Sequence, residues 1–190
     1  MRWRLASVPA LGLALVSLLT APAGASPAGK GWTSFEVVAG TRILAAASKD
    51  ASPTGDLLTV VIEGDGNAHD RKGQPSVDPT PRDPLGFRIA QAWPQGPVAW
   101  LGRPCQYVKD PACTPSDWTT GRYSQSAIAA SSLAIDDLKR RSRATRLRLV
   151  GWSGGGTMAA LVAARRTDVA VLVTLAAPLD LAAWADWHGA

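Results

Sequence analysis

Cysteine, histidine, methionine, tyrosine and phenylalanine each occur only twice in the 190 residues, and 18% of the chain is charged. Two cysteines are too few for a scaffold held by several disulfides. Composition and the lack of internal repeats exclude collagen, coiled coil and solenoid. After the N-terminal segment, no apolar run approaches the roughly 18 residues of a membrane span. Lysine is scarce while Ala, Gly and Arg abound, a bias that points to a GC-rich genome and not to a chemistry. The hydrophobic share of 46% is ordinary for a globular protein and too high for a disordered one. The length fits one domain with its own core. The formal net charge is +5, from 20 Lys+Arg against 15 Asp+Glu, and loss of Arg2 and Arg4 leaves +3. So mild an excess gives no argument for nucleic acid as a partner.

Residues 1–25 read as a secretory signal peptide. Arg2 and Arg4 form the positive start, Val8 to Leu19 the apolar stretch, and Ala23-Gly24-Ala25 the small-residue cleavage site. Ala21-Pro22-Ala23 is a competing site. An uncleaved anchor is the rival reading, but the apolar run is short and small residues follow it. No cysteine near the cleavage site supports a lipid anchor. The expectation is an exported protein, periplasmic or secreted, with no stable membrane anchor after cleavage.

Export changes how Cys105 and Cys113 are read. In an oxidising compartment an even pair is a disulfide by default. The two are eight residues apart, among Pro104, Pro111 and Pro115, so the bond closes a surface loop. Cys-x7-Cys without histidine is a poor zinc spacing, and neither a metal nor a cofactor is expected.

Residues 26–34 are rich in Gly, Ser and Pro and read as a flexible arm before one α/β domain over 35–190. Phe35–Ala39 and Ile43–Ala47 are short apolar runs around Gly40, expected as two antiparallel strands. Leu57–Ile62 is a continuous apolar and β-branched run, as in a strand buried on both faces. A long polar, proline-rich loop follows over 64–86, then a short helix over 86–93 and a strand at Val98–Leu101. Ser124 caps a helix that ends in the cations around Lys139–Arg141. The basic run from Lys139 to Arg148 reads as a solvated helix end, since no aromatics are interleaved to stack bases. Leu147–Val150 is a strand, Gly154–Arg166 a helix and Val169–Leu175 a strand. That strand–helix–strand order predicts a βαβ unit and a mostly parallel sheet with helices on both faces.

The chemistry centres on Gly151-Trp152-Ser153-Gly154-Gly155, a G-x-S-x-G pattern. The bare pattern is weak, but an apolar strand precedes it and an Ala-rich apolar helix follows. That context is a nucleophile elbow, a sharp strand-to-helix turn that lifts a serine hydroxyl above the sheet. Side chains at Gly151 and Gly155 would collide with the neighbouring strand and helix. Ser153 at the helix start feels the positive end of the dipole, and the Gly154 N–H can donate to an oxyanion. A phosphate-binding glycine loop is disfavoured, because neither its lysine nor its glycine spacing is present. Earlier in the chain, Ile62-Glu63-Gly64-Asp65-Gly66 ends a buried strand and opens the long loop. By position, the backbone N–H of Asp65 or Gly66 supplies the second oxyanion donor, and Asp65 is preferred. Glu63 and Asp65 as a metal pair lack a nearby histidine other than His69.

These segments resemble exported bacterial α/β-hydrolase-fold proteins. The resemblance runs through Leu57–Gly66, Arg103-Pro104-Cys105-Gln106-Tyr107, Cys113, Trp118-Thr119, Arg122-Tyr123 and Gly151–Gly156. It extends to Leu179-Asp180, Trp184 and His188-Gly189. It implies a Ser–Asp–His hydrolase acting on an ester, thioester or amide, of small-molecule or peptide origin, with the paired cysteines as a disulfide. In that family the acid and then the histidine follow the serine on loops after later strands. This sequence is expected to be the N-terminal portion of such a domain, its last strands missing and its acid and base beyond residue 190. His188, 35 residues after Ser153, and Asp180 are weaker candidates for base and acid, and His69 weaker still. The alternative is a non-catalytic binding or interaction protein on the same scaffold.

Overall fold

A computed structural model describes residues 27, 29–50, 55–108 and 110–188. The signal peptide expected at 1–25 lies outside them. Six strands form one sheet: β1 Trp32–Ala39, β2 Arg42–Lys49, β3 Leu57–Ile62, β4 Val98–Leu101, β5 Arg146–Trp152 and β6 Val169–Leu175. Four helices accompany them: α1 Leu85–Gln91, α2 Gln125–Ser142, α3 Gly154–Ala163 and α4 Leu181–His188. A single 3₁₀ turn covers Pro115–Trp118. β1 begins inside the segment read as a flexible arm, so that reading fails for Trp32, Thr33 and Ser34. All three pair with β2.

The strand order is β1-β2-β4-β3-β5-β6. β1–β2 and β2–β4 are antiparallel, and β4–β3, β3–β5 and β5–β6 are parallel. The parallel half is what the continuous apolar strands predict, because such strands are covered on both faces. One core packs α2 and α3 against Leu44, Leu58, Val60 and Leu149 of the sheet, with Ile135 and Met158 from the helices. The other packs α1 against Val61, Trp100 and Val150. There Trp32, Phe87, Trp100 and Tyr107 form a run of edge-to-face rings with centroids 5.1, 5.7 and 5.2 Å apart. Such pairs add to area burial alone.

The helix ends follow the sequence. The Ser124 hydroxyl accepts from the Ala127 N–H at 3.3 Å, and α2 closes at Arg143, which takes a left-handed conformation. α3 ends at Ala163, short of the expected Arg166. Arg166 turns back to bind Asp168 at 2.8 and 2.9 Å and Asp136 at 2.7 Å. No described helix is long and apolar enough to cross a membrane.

Candidate active site

Three parallel strands, β4, β3 and β5, end on the same edge of the sheet, and the loops leaving them converge there. The turn from β5 into α3 holds Ser153 at φ 51°, ψ −126°. A side chain at positive φ is strained, and that strain is held by the ladder on both sides. The Ser153 N–H donates to the Leu175 carbonyl at 2.8 Å, and the Gly156 N–H donates to the Ser153 carbonyl at 2.9 Å. Both glycines of the G-x-S-x-G pattern meet backbone. A Cβ on Gly151 would overlap the Gly155 carbonyl, and one on Gly155 would overlap the carbonyls of Ile62 and Glu63. The turn is therefore clamped between its own helix and the end of β3.

The Glu63–Gly66 segment lies against this turn. A Cβ on Gly154 would overlap the Asp65 carboxylate, and one on Gly64 would crowd the Trp152 indole. Ser153, Gly154 and Asp65 are thus brought together. The Gly154 N–H, first in its helix, has no carbonyl partner within α3. A cleft of about 380 Å³ opens in front of Ser153, lined by Trp152, Asp65, Gly66 and Asp83 among others.

The charges around Asp65 come from residues far along the chain. Arg103, whose side chain is 5% exposed, donates to Asp65 at 2.9 Å and to the Arg122 carbonyl at 2.8 Å. Arg122 lies 3.5 Å from the other carboxylate oxygen. Both guanidiniums lie 5.1 Å from the Tyr123 ring centroid. Two cations thus offset the carboxylate beside the serine. Gln106 braces the same loop, donating to the Gly64 carbonyl at 2.9 Å and accepting from the Arg103 N–H at 3.1 Å. Arg103, Gln106 and Arg122 lie within the segments that carry the family resemblance, which was the one signal of their role.

Cys105 and Cys113 are joined by a disulfide. Their loop is tied to β2 by Arg42, which donates to the Ala112 carbonyl at 3.1 Å and pairs with Asp117. Next to the disulfide, burial and then the charges of Glu63, Asp78 and Asp83 push the Tyr107 phenol far above its usual value. Tyr107 therefore stays protonated near neutral pH.

The weaker triad candidates have other roles or other places. The Asp180 carboxylate accepts from the Ala183 N–H at 2.9 Å and caps α4. The exposed His69 forms a short bridge with Pro75 within the long loop. His188 ends α4. Among the described residues no hydrogen bond joins the Ser153 hydroxyl to a base. No group of three or more His, Cys, Asp or Glu side chains is placed to hold a metal among the described residues. Glu63 and Asp65 are instead occupied by N–H donors and guanidiniums.

No family model matches the sequence, and no curated protein matches it. Solved structures do. A protein named m3DLH superposes with TM-score 0.50 at 17% identity, covering 77% of this chain and 60% of its own. A dienelactone hydrolase-like promiscuous phosphotriesterase from metagenomic libraries gives TM-score 0.49 at 16% identity, covering 77% and 59%. A proline iminopeptidase of Mycobacterium smegmatis gives 0.49 at 18%, covering 83% and 48%. By its sheet order and its likeness to m3DLH the chain has the α/β-hydrolase fold, and it spans 60% or less of the length of these three structures.

Proposed function

We propose that this chain carries the nucleophile and oxyanion site of an exported serine hydrolase that cleaves an ester, thioester or amide. Ser153 Oγ attacks the substrate carbonyl carbon and gives its proton to a general base. The carbonyl oxygen takes up negative charge and receives the N–H groups of Gly154 and Asp65. The carbon–heteroatom bond breaks, the leaving group takes the proton, and water then releases the acyl group by the reverse sequence. The base and its acid we place in chain beyond residue 190. The Cys105–Cys113 bond is compatible with an oxidising compartment and so with export.

The observation that carries this reading is Ser153 itself, at positive φ between a buried parallel strand and a helix, with Gly151 and Gly155 in contact with backbone. An idle serine gains nothing from such strain. A second reading, a binding protein on the same scaffold, draws on the absence of a base bonded to Ser153 among the described residues. Mass spectrometry after fluorophosphonate treatment of the full-length protein separates the two. An adduct on Ser153 that Ser153→Ala lacks is expected for the enzyme. An unmodified Ser153 in folded protein is the outcome for the binding protein.

A further inference from the structure

Glu63 is 1% exposed, and among the described residues no cation pairs with it. Burying a carboxylate without a counter-charge is costly unless donors replace its water. Here four do. The N–H groups of Gly64, Gly86 and Phe87 donate to it at 3.0, 2.9 and 3.1 Å, and the Trp100 indole donates at 3.0 Å. An ionised carboxylate is the side chain that only accepts and offers about four lone-pair sites, so it matches four converging donors. A glutamine would turn its own N–H groups against at least one of them.

The donors come from three places. Gly64 opens the loop to Asp65, Gly86 and Phe87 begin α1, and Trp100 belongs to β4. A Cβ on Gly86 would crowd the carboxylate, so the helix start is shaped to it. The Glu63 carbonyl meanwhile abuts Gly155, the second residue of α3. One residue thus anchors the loop by its side chain to α1 and β4, and by its main chain to the helix behind Ser153. Asp65, whose N–H is assigned to the oxyanion, is two residues further on.

We propose that Glu63 is a positioning residue: its carboxylate gathers these four donors to set the course of the Glu63–Gly66 loop, and through it the Asp65 N–H relative to Ser153. The proposal rests on the serine-hydrolase reading for its catalytic consequence, but its structural part does not. The test compares wild type with Glu63→Gln in the full-length protein. In folded Glu63→Gln, modification of Ser153 by a fluorophosphonate should show a maximal rate at least tenfold lower, with the probe's half-saturating concentration unchanged. Amide hydrogen exchange at 63–67 and 85–88 should quicken at least tenfold, while 146–152 keeps its protection. A general loss of stability would not divide the effects in this way. Wild-type modification rate and loop exchange in folded Glu63→Gln would overturn the proposal. If Glu63→Gln does not fold, Trp100→Phe removes one donor and leaves the carboxylate. It should lower the maximal rate severalfold and quicken loop exchange, and no change in either overturns the proposal. If wild type is not modified at Ser153, the nucleophile assignment fails, and hydrogen exchange alone decides the role of Glu63.

Discussion

Gly155 shows how closely the residues around Ser153 are constrained. A methyl there meets two backbone carbonyls that belong to β3 and the loop after it, and neither can rotate away. Gly155→Ala must therefore push α3 from the sheet. The expected cost is about 1–3 kcal/mol in stability, with loss of Ser153 modification. Gly73, at φ +76° with nothing within 4 Å, is the contrast: Gly73→Ala costs about 1 kcal/mol from backbone strain alone and leaves Ser153 reactive. Urea midpoints and fluorophosphonate labelling of both variants check this. Equal losses of reactivity would refute the contact argument. The need for Gly151 and Gly155 was legible in the sequence, because G-x-S-x-G between strand and helix has one geometric reading. The partners of Glu63 were not, since Gly86 and Trp100 lie 23 and 37 residues away and meet it only across the sheet. Arg103 likewise reaches Asp65 over 38 residues.

Among the elements, those with a continuous apolar run were the legible ones. β3 and β6 fall where the runs Leu57–Ile62 and Val169–Leu175 predict. β1 starts earlier than expected because Trp32, Thr33 and Ser34 lie at the sheet edge, where pairing needs no apolar pattern. The end of α3 was set by charge, which periodicity does not reveal. Arg166, its side chain 9% exposed, holds Asp168 by two nitrogens and joins it to Asp136 of α2. Hydrogen bonds from Arg166 first, and from Lys139 next, hold the Asp168 carboxyl down to about 2 against an ordinary 3.8, while burial opposes them. A carboxyl lowered on folding stabilises above its unfolded pKa. That contribution is full above about pH 5 and is lost progressively as pH falls toward about 2. Its size is about 1–2 kcal/mol, allowing for partial exposure. Asp168→Asn should therefore lower the urea midpoint at pH 7 and narrow the gap to wild type at pH 2. A gap that stays constant with pH would show that the ion pairs do not supply the stability.

At the scale of the whole molecule, the described chain presents the strained Ser153 turn beside an open sheet edge. β6 pairs only with β5 in the described sheet, and Leu172 and Leu175 on it are 44% and 37% exposed. An apolar edge with unpaired N–H and C=O groups is a template for association. A serine hydroxyl with no base stays protonated near neutral pH, and removing the base from a serine hydrolase costs several orders of magnitude in rate. Residues 26–190 alone are therefore expected to self-associate and to hydrolyse p-nitrophenyl acetate no faster than background. Leu172→Lys, which places a charge on the edge, should reduce the association seen by sedimentation without restoring activity. On the proposed serine-hydrolase reading, the full-length protein should hydrolyse the ester, and Ser153→Ala should abolish that. Turnover by residues 26–190 that His188→Ala removes would contradict this placement. It would make His188, at the end of α4, the general base of a smaller catalytic unit.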